Sequence, residues 1–125
     1  MVKQPLRKCR ECGLEAFDTE DLVLFVKDSK LPYNRQTLCK DCKAVSQKRR
    51  DVKHSYGISL EEYNECMETS VVCECCGKDS ELCYDHIHDT NEFRGVLCKQ
   101  CNYGIGLLGD TEEGILNALS YFRSR

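Results

Sequence analysis

The chain has 125 residues, of which 41% are hydrophobic and 31% charged, with eleven cysteines, no tryptophan and a formal net charge of −3. That leaves room for one or two small domains without a large apolar core, so disulfides, metal or a partner chain must supplement burial. No run approaches the roughly 18 apolar residues that a membrane-spanning helix needs, which excludes that class.

No positive segment followed by an apolar one opens the sequence, so a reducing cytoplasm is the expected setting. Thiols stay reduced there, and patterned cysteines read as metal ligands and not as disulfides. The charge is divided. Residues 1–56 carry 13 Lys and Arg against 8 acids, whereas residues 57–125 carry 5 against 13. Nucleic-acid contacts are made by patches and not by averages, so the whole-chain charge says little about partners.

In chain order, the first pattern is Cys9-Arg10-Glu11-Cys12-Gly13, followed after 26 residues by Cys39-Lys40-Asp41-Cys42. A glycine after the second cysteine permits the positive φ with which a knuckle turns its amides toward the thiolates. A helix is predicted over Lys40–His54, which lacks Gly and Pro. Val45, Val52 and Tyr56 lie near one face of it, and Lys43, Lys48, Arg49, Arg50 and Lys53 form a basic group suited to the DNA backbone. Gly57 is a natural stop. Ser59 and Glu62 then form a capping box for a second helix, about Leu60–Thr69.

The sulfur pattern returns as Cys73-Glu74-Cys75-Cys76-Gly77 and, 21 residues after Cys76, as Cys98-Lys99-Gln100-Cys101. Eight sulfurs (Cys9, Cys12, Cys39, Cys42, Cys73, Cys76, Cys98 and Cys101) therefore make two closed zinc sites. Cys75 offers a shifted pairing, but the spacing favours Cys76. Within the second copy, Leu82–His86 and Phe93–Cys98 read as strands and Lys99–Leu108 as a helix. Asp110 and Glu113 are expected to cap a last helix, whose Ile115, Leu116, Leu119 and Phe122 would close over the second module.

The repeats act as an internal control. The second copy holds Asp85-His86-Ile87-His88-Asp89 and Asn102, whereas no histidine lies between Cys12 and Cys39 and Lys43 stands where the second copy has Asn102. Residues needed only to fold a knuckle should occur in both. Asp85 and Asn102 offer hard oxygen ligands that magnesium or manganese accepts, and a neutral imidazole at His86 can take a proton from water. Strand alternation would put Asp85 and His86 on opposite faces, so the strand must end or bend there. Arg94 can contact phosphate, and Asp89 belongs to a turn.

Tyr56-Gly57-Ile58-Ser59-Leu60-Glu61-Glu62-Tyr63, Cys73 to Cys76, Asp85 to Asp89, Arg94-Gly95-Val96-Leu97-Cys98 and Cys101-Asn102, taken together, resemble the phage recombination endonuclease VII family of HNH, or ββα-metal, nucleases. The resemblance implies that Asp85 and Asn102 bind a catalytic magnesium or manganese and that His86 is the general base. It implies that His88 contacts phosphate or supports the site and that phosphodiester hydrolysis leaves 5′-phosphate and 3′-hydroxyl ends. The fold it implies is a small zinc-stabilised α+β protein. An N-terminal four-cysteine knuckle with its basic helix occupies residues 1–55, and an endonuclease VII-like ββα-metal module with a C-terminal helix occupies 56–125. DNA is the expected partner, in a phage protein acting in bacterial cytoplasm. Junction-resolving members dimerise through further helices, whereas 24 residues follow Cys101 here, so a homodimer would pair through the two central helices. A non-catalytic double zinc ribbon is the rival reading. It makes Asp85, His86 and Asn102 incidental.

Overall fold

The computed structural model describes residues 2–125. Near the N-terminus, Gly13 turns at φ 81° and donates to the Cys9 carbonyl at 2.9 Å. The turn lets β1 (Arg7–Lys8) pair antiparallel with β2 (Glu15–Ala16). A second hairpin joins β3 (Phe25–Lys27) to β4 (Arg35–Cys39). Its connection carries Tyr33 and Asn34, both at φ 57°. Neither hairpin was expected, because strands of two or three residues mixed with charge are too short to show an alternation. The core beneath them is Cys9, Ala16, Leu22, Phe25 and Cys39, with Leu6, Leu38 and Cys42 packed on it. From Cys39 the chain passes directly into α1 (Lys40–Tyr56).

The chain divides into two compact units, one ending at His54 and the other spanning Ser55–Arg125. In the second, Gly57 (φ 73°) stops α1 and Ser59 caps α2 (Leu60–Met67), its hydroxyl accepting from the Glu62 amide at 3.1 Å. The helix ends two residues earlier than its sequence pattern suggested. Next, Gly77 (φ 77°) closes the second knuckle, and β5 (Leu82–His86) pairs antiparallel with β6 (Phe93–Cys98). Both strands have the predicted bounds. They lead into α3 (Lys99–Leu107), completing the β–β–α order.

Two packing clusters hold this unit. Cys73, Leu97 and Cys98 form one, with Leu82, Cys101 and Ile105 against it. The other is aromatic: the Tyr84 ring lies 4.4 Å from Tyr56, 5.3 Å from Tyr63 and 5.1 Å from Phe93. Glu74 ties the knuckle to the hairpin, donating its amide to the Val96 carbonyl at 2.9 Å while its carboxylate accepts from the Val96 amide.

The final helix, α4 (Glu112–Arg123), corrects the reading at its start. Thr111 is the cap, its hydroxyl accepting from the Gly114 amide at 3.0 Å. Asp110 instead takes φ 53° and turns its carboxylate elsewhere. A left-handed residue outside the helix leaves the capping oxygen to the next position. Ile115 and Leu116 do reach a cavity shared with Cys75, Leu97 and Ile105, but Phe122 stays 76% exposed, so α4 covers the module only with its first turns.

Candidate active site

The two sulfur clusters come first because they set the frame. Cys9, Cys12, Cys39 and Cys42 form one, and Cys73, Cys76, Cys98 and Cys101 the other. Within each, all ligand atoms lie within 4.8 Å of one another. A tetrahedral ion with metal–sulfur bonds of about 2.3 Å needs sulfurs about 3.8 Å apart. The Cys12–Cys39 and Cys76–Cys98 sulfur pairs are 3.7 and 3.8 Å apart. Cys76, and not the adjacent Cys75, belongs to the second cluster.

Backbone amides point at the sulfurs in both copies: those of Cys42, Cys76 and Cys101 donate to the sulfurs of Cys39, Cys73 and Cys98 at 3.4 Å. At Cys9 burial opposes ionisation, but the amides of Cys12, Cys39 and Glu11 outweigh it and lower the thiol to about 6. At Cys73 the Cys76 amide leads, against burial, and the thiol is again lowered to about 6. The neighbouring Cys39 and Cys98 sulfurs push Cys42 and Cys101 strongly upward. Four thiols that compete for negative charge in this way are a donor set that a divalent cation satisfies.

On this frame the ββα hairpin carries the other chemistry. Asp85 pairs with Gly95, but His86 pairs with Phe93, so Arg94 is an extra residue bulged out of β6. A bulge bends the strand and re-aims its side chains. β5 ends at His86, opposite this bulge, where the sequence required the strand to end or bend. Both residues, with His88 and Asn102, line one cavity of about 320 Å³ whose remaining wall includes Tyr56, Tyr84, Tyr103 and Leu107. The Tyr56 ring meets His86 edge-on at 5.2 Å, and the His88 ring lies 4.8 Å from that of His86. Asp89 sits in the turn after β5, as its sequence indicated.

Arg94 lies against two carboxylates. Its Nε donates to Asp85 Oδ2 at 2.7 Å, and its Nη2 reaches Asp85 Oδ1 at 3.2 Å and Asp110 Oδ1 at 2.6 Å. Hydrogen bonds to Asp85, then to Asp110, drive the guanidinium pKa upward. Its guanidinium thus pairs with two carboxylates of the protein, an arrangement of which the sequence carries no sign. Sequence reasoning also missed Asp110, whose Oδ2 lies 3.6 Å from His88 Nε2, and the tyrosines around His86. Tyr56 was legible as part of an apolar helix face and of the family resemblance, but not as a neighbour of His86.

The donor set suits a hard cation. The Asp85 carboxylate is buried yet lines the cavity. An ionised carboxylate has about four lone-pair directions, of which Arg94 uses two. Asn102 adds an amide oxygen from the first turn of α3. On the first unit, Lys43, Lys48, Arg49, Arg50 and Lys53 are all exposed on α1. Arg50 also donates to Gln47 Oε1 at 2.7 Å.

A family model described as "Recombination endonuclease VII" matches residues 48–124, more than half of the chain. The chain belongs to the recombination endonuclease VII family. As a member of that family it is a nuclease. Two mycobacteriophage proteins are similar over different spans. The Gene 59 protein of Mycobacterium phage D29 is 29% identical over 97% of this chain and 76% of its own length. The Gene 59 protein of Mycobacterium phage L5 is 36% identical over 54% of this chain and 44% of its own. Among solved structures, the ββα-Me type II restriction endonuclease Hpy99I aligns with a TM-score of 0.45 and 22% identity, covering 93% of this chain and 64% of that one. In this endonuclease VII family member, no helix among the described residues is long and apolar enough to cross a membrane.

Proposed function

We propose that this family member is an HNH-type, divalent-metal-dependent DNA endonuclease of a phage, acting in the cytoplasm of its bacterial host. His86 is the general base, and Asp85 and Asn102 hold the catalytic magnesium or manganese. The eight clustered cysteines hold two structural zinc ions, for which the sulfur spacing speaks. The observation that carries the reading is that Asp85 and His86 from β5 and Asn102 from α3 line a single cavity, beside the bulge that bends the hairpin.

When bound, the divalent ion supplies charge stabilisation on the scissile phosphate and its departing oxygen. The protein's own groups do the rest. His86, half-buried with Tyr56 edge-on to its ring, takes the proton from the attacking water. Asp85 is fixed by Arg94 and so presents its remaining lone pairs in one direction. Asn102 presents its amide oxygen from a helix whose start is anchored by Cys98 and Cys101. His88, with its side chain 70% exposed, supports the site by contacting phosphate at the cavity rim. Acids dominate residues 57–125, so DNA is held chiefly through Lys43, Lys48, Arg49, Arg50 and Lys53. If two chains assemble as a homodimer, both strands are cut, and sedimentation velocity at assay concentration reads that state.

Cleavage of supercoiled plasmid, four-way junctions, flaps and linear duplex with magnesium or manganese tests the proposal. His86→Ala should lower the rate by about 10²-fold or more while zinc content by mass spectrometry stays unchanged. Equal rates for wild type and His86→Ala would refute the site.

A further inference from the structure

Arg94 occupies an unusual position for a surface cation. It is the extra residue of the β6 bulge, and its guanidinium is shared between two carboxylates. Asp85 receives Nε at 2.7 Å and Nη2 at 3.2 Å, and Asp110 draws Nη2 more tightly, at 2.6 Å. The Asp85 and Asp110 side chains are only 9% and 20% exposed, so water screens these charges weakly. A cation is therefore built in against the carboxylate that receives the divalent ion.

We propose that Arg94 is a resident counter-charge that aims the Asp85 carboxylate while weakening its hold on the divalent cation, and that Asp110 sets this opposition by drawing the guanidinium away. The proposal rests on the assignment of Asp85 as a metal ligand. Its logic is electrostatic. Asp85, Arg94 and Asp110 together carry one net negative charge, which rises to two without Arg94 and falls to none without the Asp110 charge. A divalent ion on Asp85 stands within a few ångströms of the guanidinium, where repulsion between like charges is strong. The phosphate of the substrate brings both a negative charge and an oxygen ligand. Tight loading of the ion is thereby tied to the arrival of DNA, so Arg94 and Asp110 act as positioning residues and make no contact with the reacting atoms.

The test is manganese binding, followed by the paramagnetic resonance of free Mn²⁺, to the full zinc-loaded chain without DNA. Arg94→Met should bind Mn²⁺ at least about tenfold more tightly than wild type, and Asp110→Asn about tenfold more weakly. Arg94→Lys keeps the charge and should stay near wild type. A merely structural role for the ion pair predicts weaker binding in all three variants, and that result overturns the proposal. So does Arg94→Met binding no more tightly than wild type, or Asp110→Asn binding no more weakly. If Arg94→Met does not fold, judged by zinc content and circular dichroism, Asp110→Asn and Arg94→Lys decide together: weaker binding in the first with wild-type binding in the second supports the counter-charge, and any other result sinks it. Asp85→Asn separates the two layers. Undiminished Mn²⁺ binding in Asp85→Asn removes Asp85 as a ligand. Lost binding there, with no tightening in Arg94→Met, removes only the counter-charge.

Discussion

Gly114 tests whether the link between α3 and α4 fixes the position of Asp110. A Cβ built at Gly114 would stand 1.7 Å from the Leu108 carbonyl oxygen and 3.3 Å from Thr111 Oγ1. Helix propensity alone argues that Gly→Ala within a helix gains about 0.5–1 kcal/mol. The clash opposes it and wins, because the obstacle is backbone and cannot rotate away. An ordinary contact would require the Leu108 carbonyl to retreat by more than an ångström. That displaces a linker in which the Gly109 amide donates to Gly106 at 3.0 Å and the Asp110 amide to Ile105 at 2.9 Å. Losing those two bonds at about 1 kcal/mol each, with an overpacking cost of about 1–3 kcal/mol and the propensity gain set against them, gives a net loss of about 2–4.5 kcal/mol for Gly114→Ala. Gly104→Ala in α3 meets nothing within 4 Å and should gain about 0.5–1 kcal/mol instead. Denaturant unfolding followed by tyrosine fluorescence reads both, because five of the six tyrosines lie in Ser55–Arg125 and there is no tryptophan. If Gly114→Ala is as stable as wild type, or both alanines shift stability in the same direction, the account of this linker is wrong.

Cys98→Ser should remove about half of the bound zinc and lower the unfolding midpoint of the second unit, whereas Asn102→Ala should slow cleavage with zinc content intact. Metal analysis beside circular dichroism distinguishes the two. Replacing Lys43, Arg49, Arg50 and Lys53 with glutamine should weaken DNA binding similarly for all sequences and flatten its salt dependence by about one unit of log–log slope per lost phosphate contact, read by fluorescence anisotropy across a salt series.

What could be read from the sequence followed from repetition and from periodicity. Eight cysteines in two spaced pairs revealed both clusters, because a tetrahedral site constrains spacing whatever lies between. β5 and β6 were legible at their bounds because Leu82, Tyr84, Val96 and Leu97 alternate or cluster between turn residues. Asp85, His86 and Asn102 stood out by their absence from the first copy. The hairpins of the first unit did not, since Arg7–Lys8 and Glu15–Ala16 owe their pairing to the knuckle turn and the cluster beneath them. Asp110 was misread for a local reason. An aspartate just before a helix is a good cap in isolation, and only the tertiary fold brings Arg94 and His88 to it. Arg94 is an exposed charge on a strand, as its sequence suggested, but its pairing with Asp85 and Asp110 was not legible, because a bulge leaves no mark in one sequence.

Structural zinc and the proposed chemistry are coupled through the start of α3. This helix has nine residues, two of them glycines among Gly104, Ile105, Gly106 and Leu107, so it is too short and too poor in propensity to form alone. Its first turn is held by the cluster: Cys98 is the cap, its sulfur accepts from the Cys101 amide at 3.4 Å, and Asn102 follows directly. Asp85 and His86 depend on the frame less, because five registered pairs hold β5 to β6. Zinc removal should therefore displace Asn102 before it displaces Asp85 or His86. A graded chelation followed by NMR should show the Asn102 and Tyr103 amides shifting at lower zinc loss than those of Tyr84 and Asp85. Simultaneous loss of all four would mean that the hairpin, too, stands only while the sulfurs are clamped.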